Sequence, residues 1–183
     1  MLDVLWSLCR ARGTPADLPA STRFVNLALA AYAGSTLLAL VIFRGTAYGL
    51  PIAVLSAALL GLVVWLIMYL KGFPERVPQT IAAVAGTGTL MNLVVLPLYL
   101  LVAFGGTRSM VLAVFVNTAA VAWSLIVVSH IFRRALDERI GPAVGFALLF
   151  HLALLIGVAL VDPLVAGPAS YDIPAATAPP GQP

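Results

Sequence analysis

Two histidines, His130 and His151, are the side chains of this sequence best suited to hold a metal or a haem iron. Imidazole is a common axial ligand of haem. His130 lies about one turn from the end of one long apolar stretch, whereas His151 lies about eight residues into the next. On helices that rise about 1.5 Å per residue, the two imidazoles differ in height by roughly 12 Å, too much for one bis-histidine haem. We therefore predict no cofactor and no metal, and we expect His151 to hydrogen-bond another helix.

The acidic residues and the serines offer no catalytic constellation. All seven acidic residues fall outside the long apolar stretches, so paired carboxylates for acid–base chemistry are missing there. Ser129 adjoins His130, but neighbouring residues of a helix point in different directions, so this pair is poorly placed for nucleophilic catalysis. We predict that the chain is not an enzyme. The same lack of charge argues against a pump, an ion-coupled transporter or a voltage sensor.

The segment Gly86-Thr87-Gly88-Thr89 is rich in glycine. No lysine follows it and no strand precedes it, so it does not match a phosphate loop. Pro97, further along the same stretch, removes a backbone donor and is expected to kink the helix. Nearby polar side chains can satisfy the carbonyl groups that a kink frees. We take as the candidate polar interior Thr87, Thr89, Asn92, Pro97, Asn117, Thr118 and His151.

Long apolar stretches carry all of these residues. The chain has 62% hydrophobic and 9% charged residues, whereas a soluble domain has about 25% charged residues. A helix of about 20 residues matches the hydrocarbon thickness of a bilayer. We predict an all-α, polytopic membrane protein, a bundle of five transmembrane helices within residues 24–161. The predicted spans are 24–43, 50–70, 79–104, 109–132 and 143–161.

The segments outside this domain differ in composition. Residues 1–23 contain charges and form no span, so we expect either a short helix on the membrane surface or a disordered lead-in. Residues 162–183 are rich in proline and are predicted to form a disordered, non-cytoplasmic tail. Within the spans, small residues permit close helix packing, and the positions we expect to do so are Ala53, Ala57, Gly61 and Gly86.

The basic residues indicate how the chain is oriented. Eight lie in the N-terminal segment and in the connections after the second and fourth spans: Arg10, Arg12, Arg23, Lys71, Arg76, Arg133, Arg134 and Arg139. The opposite side has only Arg44 and Arg108. The positive-inside rule therefore places the N-terminus in the cytoplasm and the C-terminus in the periplasm or outside the cell. The bias towards arginine and alanine favours a bacterial inner membrane. Because the charges flank spans, we expect no nucleic-acid partner.

The connection after the fourth span is a basic hairpin that contains Arg133, Arg134 and Arg139. Arg133 and Asp137 are four residues apart, as are Arg134 and Glu138. Such pairs stabilise helices. We therefore expect the helix to continue one or two turns beyond the membrane.

Two stretches of the chain resemble the Yip family of small five-span membrane proteins. One is Gly72-Phe73-Pro74-Glu75-Arg76-Val77-Pro78-Gln79-Thr80-Ile81-Ala82-Ala83, with Leu96-Pro97-Leu98 later in the same span. The other is Ala122-Trp123-Ser124-Leu125-Ile126-Val127-Val128, which precedes the basic hairpin. The resemblance covers residues 24–161 and implies five spans with a cytoplasmic N-terminus. Eukaryotic members act in vesicle trafficking and bind small GTPases and one another, but the resemblance carries over no catalytic residue.

Two hypotheses for function follow. The first is a scaffold, assembly factor or accessory subunit that contacts the lipid bilayer and other membrane proteins, or a second copy of itself, through the small-residue stripe 53–61 and the hairpin 133–139. The second is a small transporter or channel subunit for a neutral or lipidic solute, with the polar interior as its lining. A cavity that reaches Asn92 would favour the second.

Overall fold

A computed structural model describes residues 2–104 and 109–166, and within these ranges the chain is helical with no β-strand. The α-helices are α1 (Leu2–Cys9), α2 (Thr22–Arg44), α3 (Thr46–Leu70), α4 (Val77–Phe104), α5 (Ser109–Ala135) and α6 (Ile140–Ala166). Single 3-10 turns cover Pro15–Asp17 and Pro74–Arg76. Five helices, α2 to α6, are long and apolar enough to cross a membrane. The predicted all-α bundle of five transmembrane helices is confirmed.

The five long helices form a ring in which each packs on two neighbours. The order around the ring is α2, α3, α6, α5 and α4, and α3 also packs on α4 across the centre. Large apolar side chains cover the outer faces, as lipid contact requires. Examples from the five helices in turn are Leu27, Leu66, Leu101, Phe115 and Leu155. The core combines large side chains such as Phe132, Leu60 and Met68 with the mostly smaller ones of α4, where residues 80–87 are all buried.

The boundary between α2 and α3 is a single residue. The hydroxyl of Ser21 caps the start of α2 by accepting a hydrogen bond from the N–H of Phe24 at 3.2 Å. Gly45 then ends α2 with a φ of +78°, a left-handed conformation that favours glycine. Because α3 starts at Thr46, four residues before the predicted start of the second span, Pro51 lies in its second turn.

The last helix continues further than the sequence indicated. Asp162 and the four residues after it belong to α6, although we predicted them to be part of the disordered tail. The Asp162 carboxylate accepts a hydrogen bond from the hydroxyl of Tyr48 and lies 3.9 Å from the Arg44 guanidinium. These contacts tie the end of α6 to the α2–α3 turn. The rest of the predicted tail, residues 167–183, and the connection 105–108 lie outside the described residues.

The connections 71–76 and 136–139 meet at one end of the bundle, which we call the basic end. Helix α5 stops at Ala135, three residues beyond the predicted end of the fourth span, which is just short of the one or two further turns predicted. Asp137 pairs with Arg76 at 2.6 Å, and Glu138 pairs with Lys71 at 2.7 Å. Arg76 also donates to the carbonyl oxygen of Ala135 at 2.9 Å, which caps the end of α5. The carboxylates therefore join two connections instead of pairing along one helix.

Helix α1 packs against α4 and α5. Leu8 and Cys9 are buried, whereas Leu2 and Trp6 are exposed. A Cβ atom at Gly86 of α4 would lie 2.7 Å from the Leu5 side chain, so glycine at this position makes room for α1. The predicted N-terminal segment is thus an eight-residue helix whose one face is part of the bundle core.

Candidate functional site

Three adjoining cavities run into the bundle from the end opposite the basic end. The outermost, of about 360 Å³, lies between α2, α4 and α5 and is lined by Phe43, Asn92, Tyr99 and Asn117 among others. The next, of about 220 Å³, shares the last three residues and extends to Ser124 and His151. The innermost, of about 120 Å³, receives side chains from all five long helices. No charged side chain is found among the described residues that line them.

Asn92 is the polar centre where α4 meets α2. Its side-chain N–H groups donate to the hydroxyl oxygens of Ser35 and Thr36, each at 3.1 Å. Ser35 is buried, and its own hydroxyl donates to the carbonyl oxygen of Tyr32 at 3.0 Å. A hydrogen-bonded chain of amide and hydroxyl groups therefore forms one wall of the cavities. The sequence suggested backbone carbonyl groups near Pro97 as partners for the polar side chains here, whereas the partners of Asn92 are hydroxyl groups of α2.

His151 of α6 contacts Ser124 of α5. The imidazole Nδ1 lies 2.8 Å from the carbonyl oxygen of Ala147, one turn earlier on the same helix. A carbonyl can only accept, so Nδ1 carries the proton and donates. Nε2 of the neutral ring is then an acceptor, and the Ser124 hydroxyl 2.9 Å away donates to it. This fixes one tautomer of His151 and presents a polarised serine oxygen to the cavity.

Tyr99 and Asn117 stand where the outer and middle cavities join. The Tyr99 hydroxyl donates to the side-chain oxygen of Asn117 at 3.3 Å. The Tyr99 ring also packs edge-on against Phe43, with centroids 5.7 Å apart. This aromatic and amide pair therefore lines both cavities, and the three cavities together are called the polar path.

The innermost cavity lies close to α1. Thr87 is buried beside the innermost cavity and its hydroxyl donates to the carbonyl oxygen of Ala83 at 2.8 Å. The Cys9 thiol donates to the carbonyl oxygen of Thr87, with 3.9 Å between sulfur and oxygen. The Trp123 indole N–H donates to the Cys9 carbonyl oxygen at 2.9 Å. Cys9 of α1 therefore contacts α4 and α5 next to the innermost cavity.

The other predicted site residues lie elsewhere. Thr118 is exposed, and its hydroxyl donates to the carbonyl oxygen of Val114 one turn earlier. The Thr89 hydroxyl likewise donates to the carbonyl oxygen of Ala85. Pro97 is exposed and lies within α4, which continues past it. Ala53 and Ala57 are buried inside the chain's own bundle. A Cβ atom at Gly61 would contact nothing within 4 Å. The hairpin residues Arg133, Arg134 and Arg139 are all exposed.

The two histidines do not face each other. The His130 ring nitrogen lies 3.1 Å from the carbonyl oxygen of Gly13 at the basic end, whereas His151 bonds Ser124 deeper in the bundle. Among the residues that the structure describes, no group of three histidine, cysteine or acidic side chains is placed to hold a metal ion.

Several residues of the site were not predicted from the sequence. Ser124 and His151 are 27 positions apart, whereas the sequence pattern drew attention only to the serine adjacent to a histidine. Tyr32, Ser35, Thr36 and Tyr99 were also overlooked. One signal was available: polar residues on the first span, at positions 32, 35 and 36, lie three to four residues apart and so share one helix face.

Comparison with protein-family models, with curated proteins and with solved structures finds no match for this chain. The resemblance to the Yip family stays a prediction.

Proposed function

We propose that the chain binds a small, neutral, hydrogen-bonding solute in the path between its helices and acts as a transporter or channel subunit for it. The observation that carries this proposal is the cavity that reaches Asn92 and His151. Its volumes lie in or near the range of small-ligand pockets. Its polar groups are amide, hydroxyl and imidazole, which recognise neutral solutes by hydrogen bonding.

The uncharged lining of the cavities also supports a neutral solute. A cation or anion held this deep in a bilayer needs a counter-charge, because the low dielectric penalises an isolated ion. The described lining supplies none. Exposed apolar side chains on α2 to α6 support lipid contact for the helices around the path. The bundle therefore contains more interior polar groups than a purely structural role would require.

The orientation belongs to the same proposal. The excess of basic residues at the basic end supports a cytoplasmic location for that end in a bacterial inner membrane. The path then opens on the non-cytoplasmic side and ends mid-bundle beside α1.

The scaffold hypothesis is the second candidate. The stripe at positions 53 and 57 is occupied by the chain's own helices, so it is not a surface for a partner. The exposed arginines of the hairpin remain as a contact surface for an acidic partner.

Solute uptake by reconstituted vesicles tests the proposal. Glycerol is the probe, because it is small, neutral and rich in hydroxyl groups. Ala120→Trp fills the middle cavity, which Ala120 lines, and Ala119→Trp is the matched control on the outer face of α5. We expect vesicles with wild-type chain and Ala119→Trp to take up glycerol faster than empty vesicles, and Ala120→Trp vesicles to lose most of the gain. Equal rates for all four would refute transport.

A further inference from the structure

Three arginines at the basic end, Arg133, Arg134 and Arg139, do not pair with the acidic residues closest to them in sequence. Asp137 and Glu138 are the carboxylates closest in sequence to the hairpin arginines, but they pair with Arg76 and Lys71 from the other connection. Within the described part of the chain, no ion pair joins Arg133, Arg134 or Arg139 to a carboxylate. This end of the bundle therefore presents uncompensated positive charge.

One of these arginines stands at the rim of an apolar groove between α5 and α6. The groove has a volume of about 330 Å³ and is lined mainly by aliphatic side chains, with Arg133 at the end nearest the connection. Arg133 lies two residues before the end of α5 at Ala135. On a spanning helix, this position corresponds to the depth of the lipid headgroups.

Arg133 is the lining group of the groove that carries a permanent positive charge. The Ser129 hydroxyl donates to the carbonyl oxygen of Leu125 at 2.6 Å. Of the two ring nitrogens of His130, Nε2 lies 3.1 Å from the Gly13 carbonyl oxygen and is occupied by it. The Arg133 guanidinium has no such partner among the described residues, and its planar fork of donors matches the geometry of a phosphate group.

The N-terminal segment adds charge to the same place. Ala11 lines the groove, and its sequence neighbours Arg10 and Arg12 are both exposed. No acidic side chain lines the groove in the described part of the chain. An apolar trough with cationic groups at its membrane-surface end is complementary to an amphiphile with an acyl chain and an anionic head.

We propose that this groove is a binding site for an anionic phospholipid. The phosphate binds Arg133 in the field of Arg10 and Arg12, and one acyl chain lies along Ile126 and Val144. The site is separate from the polar path and does not depend on the proposed transport, because none of its lining residues lines the three cavities.

Lipid retention by the purified full-length chain, measured by native mass spectrometry, tests this site. The chain is titrated with phosphatidylglycerol and, in parallel, with phosphatidylcholine of the same acyl chains. Arg133→Gln removes the guanidinium that is proposed to bind the phosphate. Arg139→Gln is the matched control, because Arg139 is also exposed, in the connection that follows α5, but does not line the groove. We expect wild-type chain to bind phosphatidylglycerol at least tenfold more tightly than phosphatidylcholine, Arg133→Gln to lose about tenfold, and Arg139→Gln less than twofold.

A second pair of variants tests the apolar part of the groove with all arginines in place. Val144→Trp fills the groove, and Leu148→Trp places the same side chain on the exposed face of α6. We expect only Val144→Trp to displace phosphatidylglycerol. Equal losses for Arg133→Gln and Arg139→Gln would show diffuse attraction and overturn the site. So would equal binding of phosphatidylcholine, or displacement of phosphatidylglycerol by millimolar inorganic phosphate alone.

Discussion

Substitution of Gly86 by valine should release α1 from the bundle. A Cβ atom at this position would lie 2.7 Å from one terminal carbon of Leu5 and 3.0 Å from the other, and valine adds two methyl groups beyond it. Overpacking of this kind costs about 1–3 kcal/mol. Since 1.4 kcal/mol corresponds to about a factor of 10, the undocked population should rise about 5- to 150-fold.

Cys9 reports on this change, because it is the single cysteine of the chain and is buried by docking. Burial raises the pKa of its thiol from 9.0 to about 11. The docked thiol is therefore both inaccessible and about 100-fold poorer in thiolate than a free one near neutral pH. The rate of alkylation by a maleimide at pH 7 should increase by the same factor as the undocked population.

Two controls make this experiment decisive. Gly61→Val introduces the same side chain into α3 where a Cβ atom meets nothing within 4 Å, so its Cys9 rate should stay within about twofold of wild type. Leu5→Ala combined with Gly86→Val makes room again and should restore protection. If Gly86→Val labels no faster than Gly61→Val, the packing of α1 against α4 is not as described.

Further predictions concern pH and the polar contacts. A thiol whose pKa is raised by docking stabilises the docked state fully below pH 9 and loses this contribution as pH rises towards 11, so Cys9 should become exposed over that window in proteolysis or labelling. Asn92→Leu removes two interhelical hydrogen bonds and should destabilise the bundle by about 0.6–1.7 kcal/mol in detergent unfolding. Ser124→Ala should leave the Nδ1–H tautomer of His151 in place, because the carbonyl contact sets it, but should shift the Nε2 resonance in nitrogen NMR. Gln79→Leu removes two donors to backbone carbonyls of the N-terminal segment and should cost about 1–2 kcal/mol of its docking free energy, measured by limited proteolysis.

The five spans were predictable because hydrophobic length alone defines them. A stretch of about 20 apolar residues satisfies its backbone within one helix, whatever its neighbours are. Helix ends were less predictable, since tertiary contacts set them. The carboxylate of Asp162 keeps α6 helical beyond the predicted end by accepting from Tyr48, more than a hundred residues away.

The pairing of charges at the basic end shows why a local rule failed. The spacing of Arg133 and Asp137 favours a pair worth a few tenths of a kcal/mol on an isolated helix. Arg76 offers Asp137 a contact at 2.6 Å and at the same time caps the carbonyl group of Ala135. Two contacts from one guanidinium outcompete the local pair, and no sequence pattern within the hairpin reveals a partner some sixty residues upstream.

The polar path was predictable in part. Asn92 and Asn117 stand out because an amide in an apolar helix must find a partner. The contact between Ser124 and His151 depends on how α5 is rotated about its axis relative to α6. Because apolar residues occupy nearly every face of these helices, the sequence does not determine that rotation. The docking of α1 could not be predicted from the sequence either, because an eight-residue helix has too few residues to indicate where its apolar face binds.

Thiol accessibility inside the bilayer tests most directly whether the path is a hydrated, polar interior. In a Cys9→Ser background, Asn92→Cys faces the cavity and Leu93→Cys, the next residue on α4, faces outward with 46% exposure. Asn117→Cys provides a second cavity position that keeps the Asn92 contacts. In proteoliposomes, a charged methanethiosulfonate, which needs water to reach a thiolate, should modify the cysteines at 92 and 117 and spare the one at 93. Protection of both cavity cysteines to the same degree as position 93 would contradict the account.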